Sequence, residues 1–191
     1  IGWWRSVYDS QNAFAKECFV DQVANKLEKD PGFYRLELVK DSPRHKRVLQ
    51  EVLLMSDWDK PVAKGRGRGC GVHKSFNSYV AMSCEVSLRD NNTIIEKVNV
   101  AVDCGLVVHP NTVEAQVQGS IVFGMMAALF GEINVEKGQV VEGNFHQYWM
   151  PQIQDMPEVN IKIIDSDESP TGIGEPVVPL VAPVIANALF D

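Results

Sequence analysis

Glu175 is the single ionisable side chain in the run Pro170-Thr-Gly-Ile-Gly-Glu-Pro-Val-Val-Pro-Leu-Val-Ala-Pro183. Gly172 and Gly174 let the backbone take positive φ and let a ligand come close to it. Pro176 then fixes the chain directly after the carboxylate and removes a donor. A carboxylate held stiffly in apolar surroundings at the mouth of a helix is suited to work as a general base. The plain alternative is a strand-to-helix turn whose glutamate is solvated, since Gly/Pro loops are ordinary punctuation. Pro183 is read as the first turn of that helix, with Ala182, Ile185, Ala186 and Leu189 on it.

Other reactive residues argue mostly by exclusion. Cys18, Cys70, Cys84 and Cys104 show no C-x-x-C spacing and are read as buried free thiols. The four histidines are scattered, without metal-ligand spacing, so no zinc site is expected. A net charge of −7 excludes a nucleic-acid surface of the usual basic kind. The basic run Lys64-Gly-Arg66-Gly-Arg68 is read as a solvated loop leading into a strand, with an anion site as the alternative. No apolar run reaches the roughly 18 residues of a membrane span, and no signal peptide is visible.

The elements that must position Glu175 follow from periodicity. Asn12 is placed to cap a helix on which Ala15, Phe19, Val23 and Leu27 share a face beside Phe14 and Cys18. Pro31 and Pro43 each sit at the first position of a further helix, the second pairing Val48 with Val52 and Leu49 with Leu53 and stopping near Trp58. Beyond the glycine-rich stretch Gly65 to Gly71 the period changes. Val80, Met82, Cys84, Val86 and Leu88 alternate with Ala81, Ser83, Glu85 and Ser87, the pattern of a half-buried strand. Asp90-Asn91-Asn92 turns it into a second strand carrying Val98, Val100 and Val102. A helix follows on which Val113, Val117, Ile121, Met125 and Leu129 recur at i+4, with Asn111 and Glu114 at capping-box spacing and Gly131 as its stop. Gly119 and Gly124 on that helix each mark a close approach by another backbone or by a ligand. Residues 132–141 read as a hairpin over Lys137-Gly138, and Val159, Ile161 and Ile163 as a third strand. The expected fold is α+β in one domain over 1–191. Its helical opening segment covers 1–64. Residues 65–191 hold a mixed or antiparallel sheet, built on the hairpin at about 71–103, with packed helices.

Several stretches together resemble one family. Asp103-Cys-Gly105, His109-Pro110, Gln116, Gly119 and Gly124 resemble the D-x-G-x-x-x-N-P-x(5)-Q-x-x-G pattern of the molybdenum hydroxylases related to xanthine dehydrogenase and aldehyde oxidase. Asn144-Phe-His-Gln-Tyr with Pro151 is similar to their N-F-x-x-Y segment. Gly172-Ile-Gly-Glu-Pro176, Ala182-Pro183 and Ala186-Asn187-Ala188 resemble the G-x-G-E-P…A-P-A-x-x-N-A stretch towards the end of their large chain. Trp4-Arg5-Ser6-Val7 with Asn12-Ala-Phe, Glu17, Phe19 and Asp21 resembles the opening run of isoquinoline 1-oxidoreductase beta subunits. The resemblance covers nearly the whole chain. The opening Ile1-Gly-Trp-Trp lacks an initiator methionine and reads as part of a longer polypeptide.

The resemblance implies a molybdopterin-binding domain of a hydroxylase that uses molybdenum on molybdopterin cytosine dinucleotide, with a heterocycle or aldehyde as substrate and oxygen drawn from water. It places a general base at Glu175 and a substrate-facing arginine, which would stabilise developing oxyanion charge, at Arg5. Gln116 would hydrogen-bond the cofactor, the Gly119 region would admit it, and Gly172 and Gly174 would border it. The resemblance implies a metal that takes no histidine from the protein, so His146 is read as a packed histidine, and no metal ligand is assigned. The plainer readings make Gln116 a solvated helix residue and Arg5 a partner of some surface acid. His109 stands where the family pattern has Asn. Glycine-rich cofactor segments of the G-G-G-F-G and G-Q-G types are absent from these 191 residues. The expectation is therefore part of a cofactor cradle, holding no molybdenum by itself. Its partners would be the rest of the large subunit and a 2Fe-2S small subunit. The rival expectation is a non-catalytic assembly module of the same fold. Bacterial cytoplasm and periplasm are both compatible with the sequence.

Overall fold

The computed structural model describes residues 3–191; Ile1 and Gly2, at the head of the opening stretch, lie outside the described residues. Three helices come first, α1 (Asp9–Lys26), α2 (Pro31–Leu38) and α3 (Pro43–Met55). Strands β1 (Arg66–Ser75), β2 (Ser78–Arg89) and β3 (Asn92–Asp103) follow, then helix α4 (Pro110–Met125), which runs on into a π turn, Met126–Phe130. Short strands β4 (Val135–Glu136) and β5 (Gln139–Val140), strand β6 (Glu158–Ile163) and helix α5 (Val178–Phe190) complete the order. The main sheet runs β1-β2-β3-β6, antiparallel except for β6, which lies parallel to β3. This is the mixed sheet and α+β class that the pattern predicts.

Helices cover both faces of the sheet. Val80, Met82, Val98, Val100 and Val102 meet Val113, Val117 and Ile121 of α4 and Leu180, Val181 and Val184 of α5. On the other face Cys70, Val72, Ala81 and Ala101 meet Val48, Leu49, Val52 and Leu53 of α3. β2 is thus buried on two faces rather than one, with Ala81 and Ser83 both fully buried. Their small side chains, which read as a polar face in sequence, are what let α3 lie close. Helix α4 with its π turn spans Pro110–Phe130, long and apolar enough by composition to cross a bilayer. Its Val113, Val117, Ile121 and Met125 are spent on the core of this domain.

The glycine-rich stretch is a strand, not a loop. Gly67, Gly69 and Gly71 alternate along one face of β1, and a Cβ at Gly67 or Gly69 would drive into the carbonyls of Ala188 or Val184 on α5. A helix backbone lying this near a sheet needs a row of hydrogens beneath it. Arg68, facing the other way, stacks on Trp58 and donates to the carbonyls of Ser56, Asp57, Trp58 and Lys60, tying down the chain that leaves α3. Arg68 is thereby structural, and Arg66 pairs with Glu85 and Glu96.

Helix α1 is turned opposite to its apolar pattern. Asn12 lies inside it, and Tyr8 precedes its first residue. Ala15, Phe19 and Leu27 of the expected inner face are exposed, Phe19 to 66%. The buried residues are Ala13, Glu17, Asp21 and Ala24. Arg35 of α2, itself buried, explains the inversion. Its Nε donates to Glu17 Oε2 (2.9 Å), its Nη1 to Asp21 Oδ1 (2.8 Å) and its Nη2 to the Glu17 carbonyl (2.7 Å). Buried charges of this kind persist only when paired and hydrogen-bonded. Other expectations shift by small amounts. Helix α4 is capped by His109, whose Nδ1 accepts from Thr112 N (3.2 Å), so the imidazole does the work expected of Asn111. Helix α5 begins at Val178 with Pro179 in its first turn, and Pro183 is interior. Cys70, Cys84 and Cys104 are buried free thiols, as expected, while Cys18 is half-exposed. His146 is exposed rather than packed.

Candidate active site

Three loops meet at the start of α5. The first leaves β3 at Asp103, a buried carboxylate held by Arg44 through Oδ1 and Oδ2 at 2.7 Å each. Asp103 Oδ1 also accepts from Gly105 N (3.2 Å), and Gly105 takes a left-handed φ of +73°. A Cβ there would collide with the Ser169 carbonyl, so glycine is required on both counts. The net result for Asp103 is a carboxyl held below its usual range. Burial opposes this, but the bonds from Arg44 and Gly105 outweigh it.

The second loop, 165–177, is zipped to the first. Leu106 N donates to the Glu168 carbonyl (2.8 Å) and Thr171 N to the Cys104 carbonyl (2.9 Å). The β1–β2 turn grips it from the other side. Gly172 N donates to the Phe76 carbonyl (3.2 Å), and the buried Ser78 donates through Oγ to the Gly172 carbonyl (2.6 Å). Phe76 and Asn77 both hold positive φ in that tight turn. Gly172-Ile-Gly-Glu is therefore pinned along its length.

The third loop is the Trp4-Arg5-Ser6-Val7 turn. Trp4 packs on Phe123 of α4, ring centroids 4.8 Å apart, and the Arg5 guanidinium lies 5.6 Å from the same ring. Arg5 Nε donates to the Gly174 carbonyl (3.0 Å), a bond that Nη2 shares. Arg5 Nη2 also donates to Gln116 Oε1 (3.2 Å) and Ser120 Oγ (2.9 Å), both on α4. Ser6 Oγ donates to the Glu175 carbonyl (2.7 Å).

The residues singled out in sequence thus fall into one cluster. Arg5, Gln116, Gly174 and Glu175 are joined through the guanidinium and the loop backbone. Glu175 is half-buried, and its Oε2 is sequestered with no hydrogen-bond partner among the described residues. Such an atom is costly unless something else satisfies it. Gly119, one turn beyond Gln116, is exposed, and a Cβ there would meet nothing within 4 Å. Gly124, by contrast, is filled by Val181 of α5 and belongs to the core. Sequence reasoning missed Ser6, Ser78 and Ser120. Ser6 lies inside the Trp4–Val7 motif, but nothing in spacing announces a serine that bonds a backbone so far along the chain. A cavity of about 320 Å³ between β3 and the π turn, lined by Ile95, Leu129 and Met156 among others, includes none of the cluster.

Residues 38–157 match the model of the molybdopterin cofactor-binding domain. The isoquinoline 1-oxidoreductase beta subunit of Brevundimonas diminuta is 34% identical over 98% of this chain and 25% of its own length. A membrane-bound aldehyde dehydrogenase of Gluconacetobacter polyoxogenes, named for pyrroloquinoline quinone, is 29% identical over the whole chain and 27% of its length. The chain therefore spans about a quarter of the curated relatives it matches. Among solved structures, the aldehyde oxidoreductase of Desulfovibrio gigas superposes with a TM-score of 0.73 over 97% of this chain and 39% of that one, at 11% identity. Quinoline 2-oxidoreductase of Pseudomonas putida 86 gives 0.55 over 59% of this chain and 15% of its own, at 21% identity. At such identities the superpositions speak for the fold.

Proposed function

The chain belongs to the molybdopterin cofactor-binding domain family, and from that premise we propose that it supplies the general base and one wall of the cofactor site to a molybdenum hydroxylase. The observation that carries this reading is the buried Oε2 of Glu175, without a hydrogen-bond partner among the described residues, on a loop clamped from three sides. A base must be held still and kept free of partners that would compete for its proton. The residues present suit the cofactor. Gln116 accepts from Arg5 through Oε1, which leaves its amide nitrogen to donate to a pterin. The open face of α4 at Gly119 admits a flat group, and Gly172 and Gly174 keep the loop low beside it. When bound, the molybdenum centre on molybdopterin cytosine dinucleotide supplies the redox chemistry that introduces water-derived oxygen at an N-heteroaromatic or aldehyde carbon.

Glu175 would take up a proton in that reaction, its loop held still by the bonds from Ser6 and Ser78. Arg5 Nε and Nη2 bond Gly174, Gln116 and Ser120 and so join the base loop to α4, which leaves the Nη1 donors of the same guanidinium for the substrate-facing role. The remaining polypeptide of the large subunit, together with a 2Fe-2S partner, would complete the enzyme. Glu175→Gln in the full-length protein should lower kcat by about 10²- to 10⁴-fold while molybdenum and pterin content are retained. Unchanged turnover would overturn the reading and favour an assembly role for the domain.

A further inference from the structure

We propose that Ser6 is a positioning residue for Glu175, an inference that rests on the general-base reading above. Two successive side chains, Arg5 and Ser6, take hold of two successive carbonyls, those of Gly174 and Glu175. Ser6 is fully buried. The carbonyl it binds already accepts from Val178 N (3.1 Å) as α5 begins, so the Ser6 bond is not needed to satisfy that oxygen. A second donor on a carbonyl with two lone pairs fixes its direction. That direction sets the Glu175 peptide, and a long side chain magnifies any backbone rotation at its Cα.

The turn that delivers Ser6 is strained. Ser6 has a φ of 75° and Val7 a φ of 52°, and a β-branched residue in the left-handed region is a true outlier. Strain of this kind persists where the surroundings over-determine it, and it gathers at functional sites. Here Val7 N donates to the Trp4 carbonyl (2.8 Å) and Asp9 N to the Ser6 carbonyl (2.9 Å), while Trp4 is seated on Phe123. The hydroxyl of Ser6 is thereby presented to one atom of a loop far along the chain. Ser6 touches none of the reacting groups; it acts through the backbone of the residue that does.

The test uses Ser6→Ala, which removes the hydroxyl, and Ser6→Gly, which removes it and also relieves the left-handed strain. In this chain without cofactor, the Glu175 carboxyl is followed by carbon-13 NMR at one fixed pH, its signal identified as the one that Glu175→Gln abolishes. Both variants should displace that signal from its position in the parent. In the full-length enzyme both should lower kcat about 10- to 100-fold, the cost of a misplaced group, with KM held within about twofold. A folded variant with an unmoved Glu175 signal, or one that changes KM alone, overturns the proposal. If neither variant folds, Ser6 is a packing residue and the proposal also fails. A signal that moves while Glu175→Gln leaves turnover intact would uphold the positioning and sink the general base. The reverse pattern would keep the base and discard Ser6.

Discussion

At the scale of single residues, Gly69 shows how much rests on one missing carbon. Its Cβ position is filled by the Val184 carbonyl and the Ala188 nitrogen of α5, atoms that cannot rotate away. Gly69→Ala should therefore destabilise the domain by about 3 kcal/mol, the upper part of the range for overpacking, read as a lower urea midpoint with an unchanged slope. Glycines are depleted in strands, which is why this stretch reads as a loop in sequence. The spacing was the usable signal, because Gly67, Gly69 and Gly71 repeat with the period of one strand face. Glu175, on the other hand, was legible. A lone carboxylate between glycines and prolines is chemically conspicuous, and the structure leaves its buried oxygen without a partner among the described residues. The serines that hold the loop were not legible, since hydroxyls that bond distant carbonyls carry no periodicity.

At the scale of elements, α1 and α3 show where pattern reading succeeds and where it does not. The Val48, Leu49, Val52 and Leu53 quartet of α3 is buried as the spacing predicts. In α1 the apolar residues face out because Arg35 demands the Glu17 and Asp21 carboxylates, and an ion network outranks an apolar stripe in choosing which side packs. Helix α3 also brings a pH response. His45 bonds Ser42 Oγ through Nδ1 (2.7 Å) and sits edge-on to Tyr79, its ring centroid 4.6 Å away. Burial, followed by the charges of Lys16 and Lys74, lowers its pKa from 6.5 to about 4. Between those values the unfolded chain binds a proton that the folded chain refuses, so stability is full above about pH 6.5, falls as pH drops towards 4, and levels below. For a half-buried ring the loss should be on the order of 1 kcal/mol after solvent screening. Urea midpoints of the parent and of His45→Gln across pH 4–7 would check it: the two curves should converge in acid and separate towards neutrality. A constant separation would contradict the assignment.

At the scale of the whole molecule, the stretch from Gly131 to Pro157 stands apart. It contributes no buried residue, and it exposes Phe145, Trp149 (71%) and Ile153 (92%). Few buried contacts mean a low cost of local opening. Brief proteolysis of this chain should cut first within 131–157 and leave the sheet with its helices intact; a first cut in β1–β3 would refute this. The chain alone is also expected to bind no molybdenum, which metal analysis of the purified chain would check, since it spans only about a quarter of the relatives' length. The missing glycine-rich cofactor segments are the sequence ground for that expectation.

The glycine face of β1 has one more consequence, and it concerns time. Of these elements β1 is made early and α5 last, yet β1 receives its covering backbone only from α5. A strand with so many glycines has little side chain of its own to shield it while it waits. On a ribosome, therefore, this edge should stay open to chaperones or to rogue strand pairing until α5 has cleared the exit tunnel, and it should be the last part of the sheet to gain protection from amide exchange during refolding.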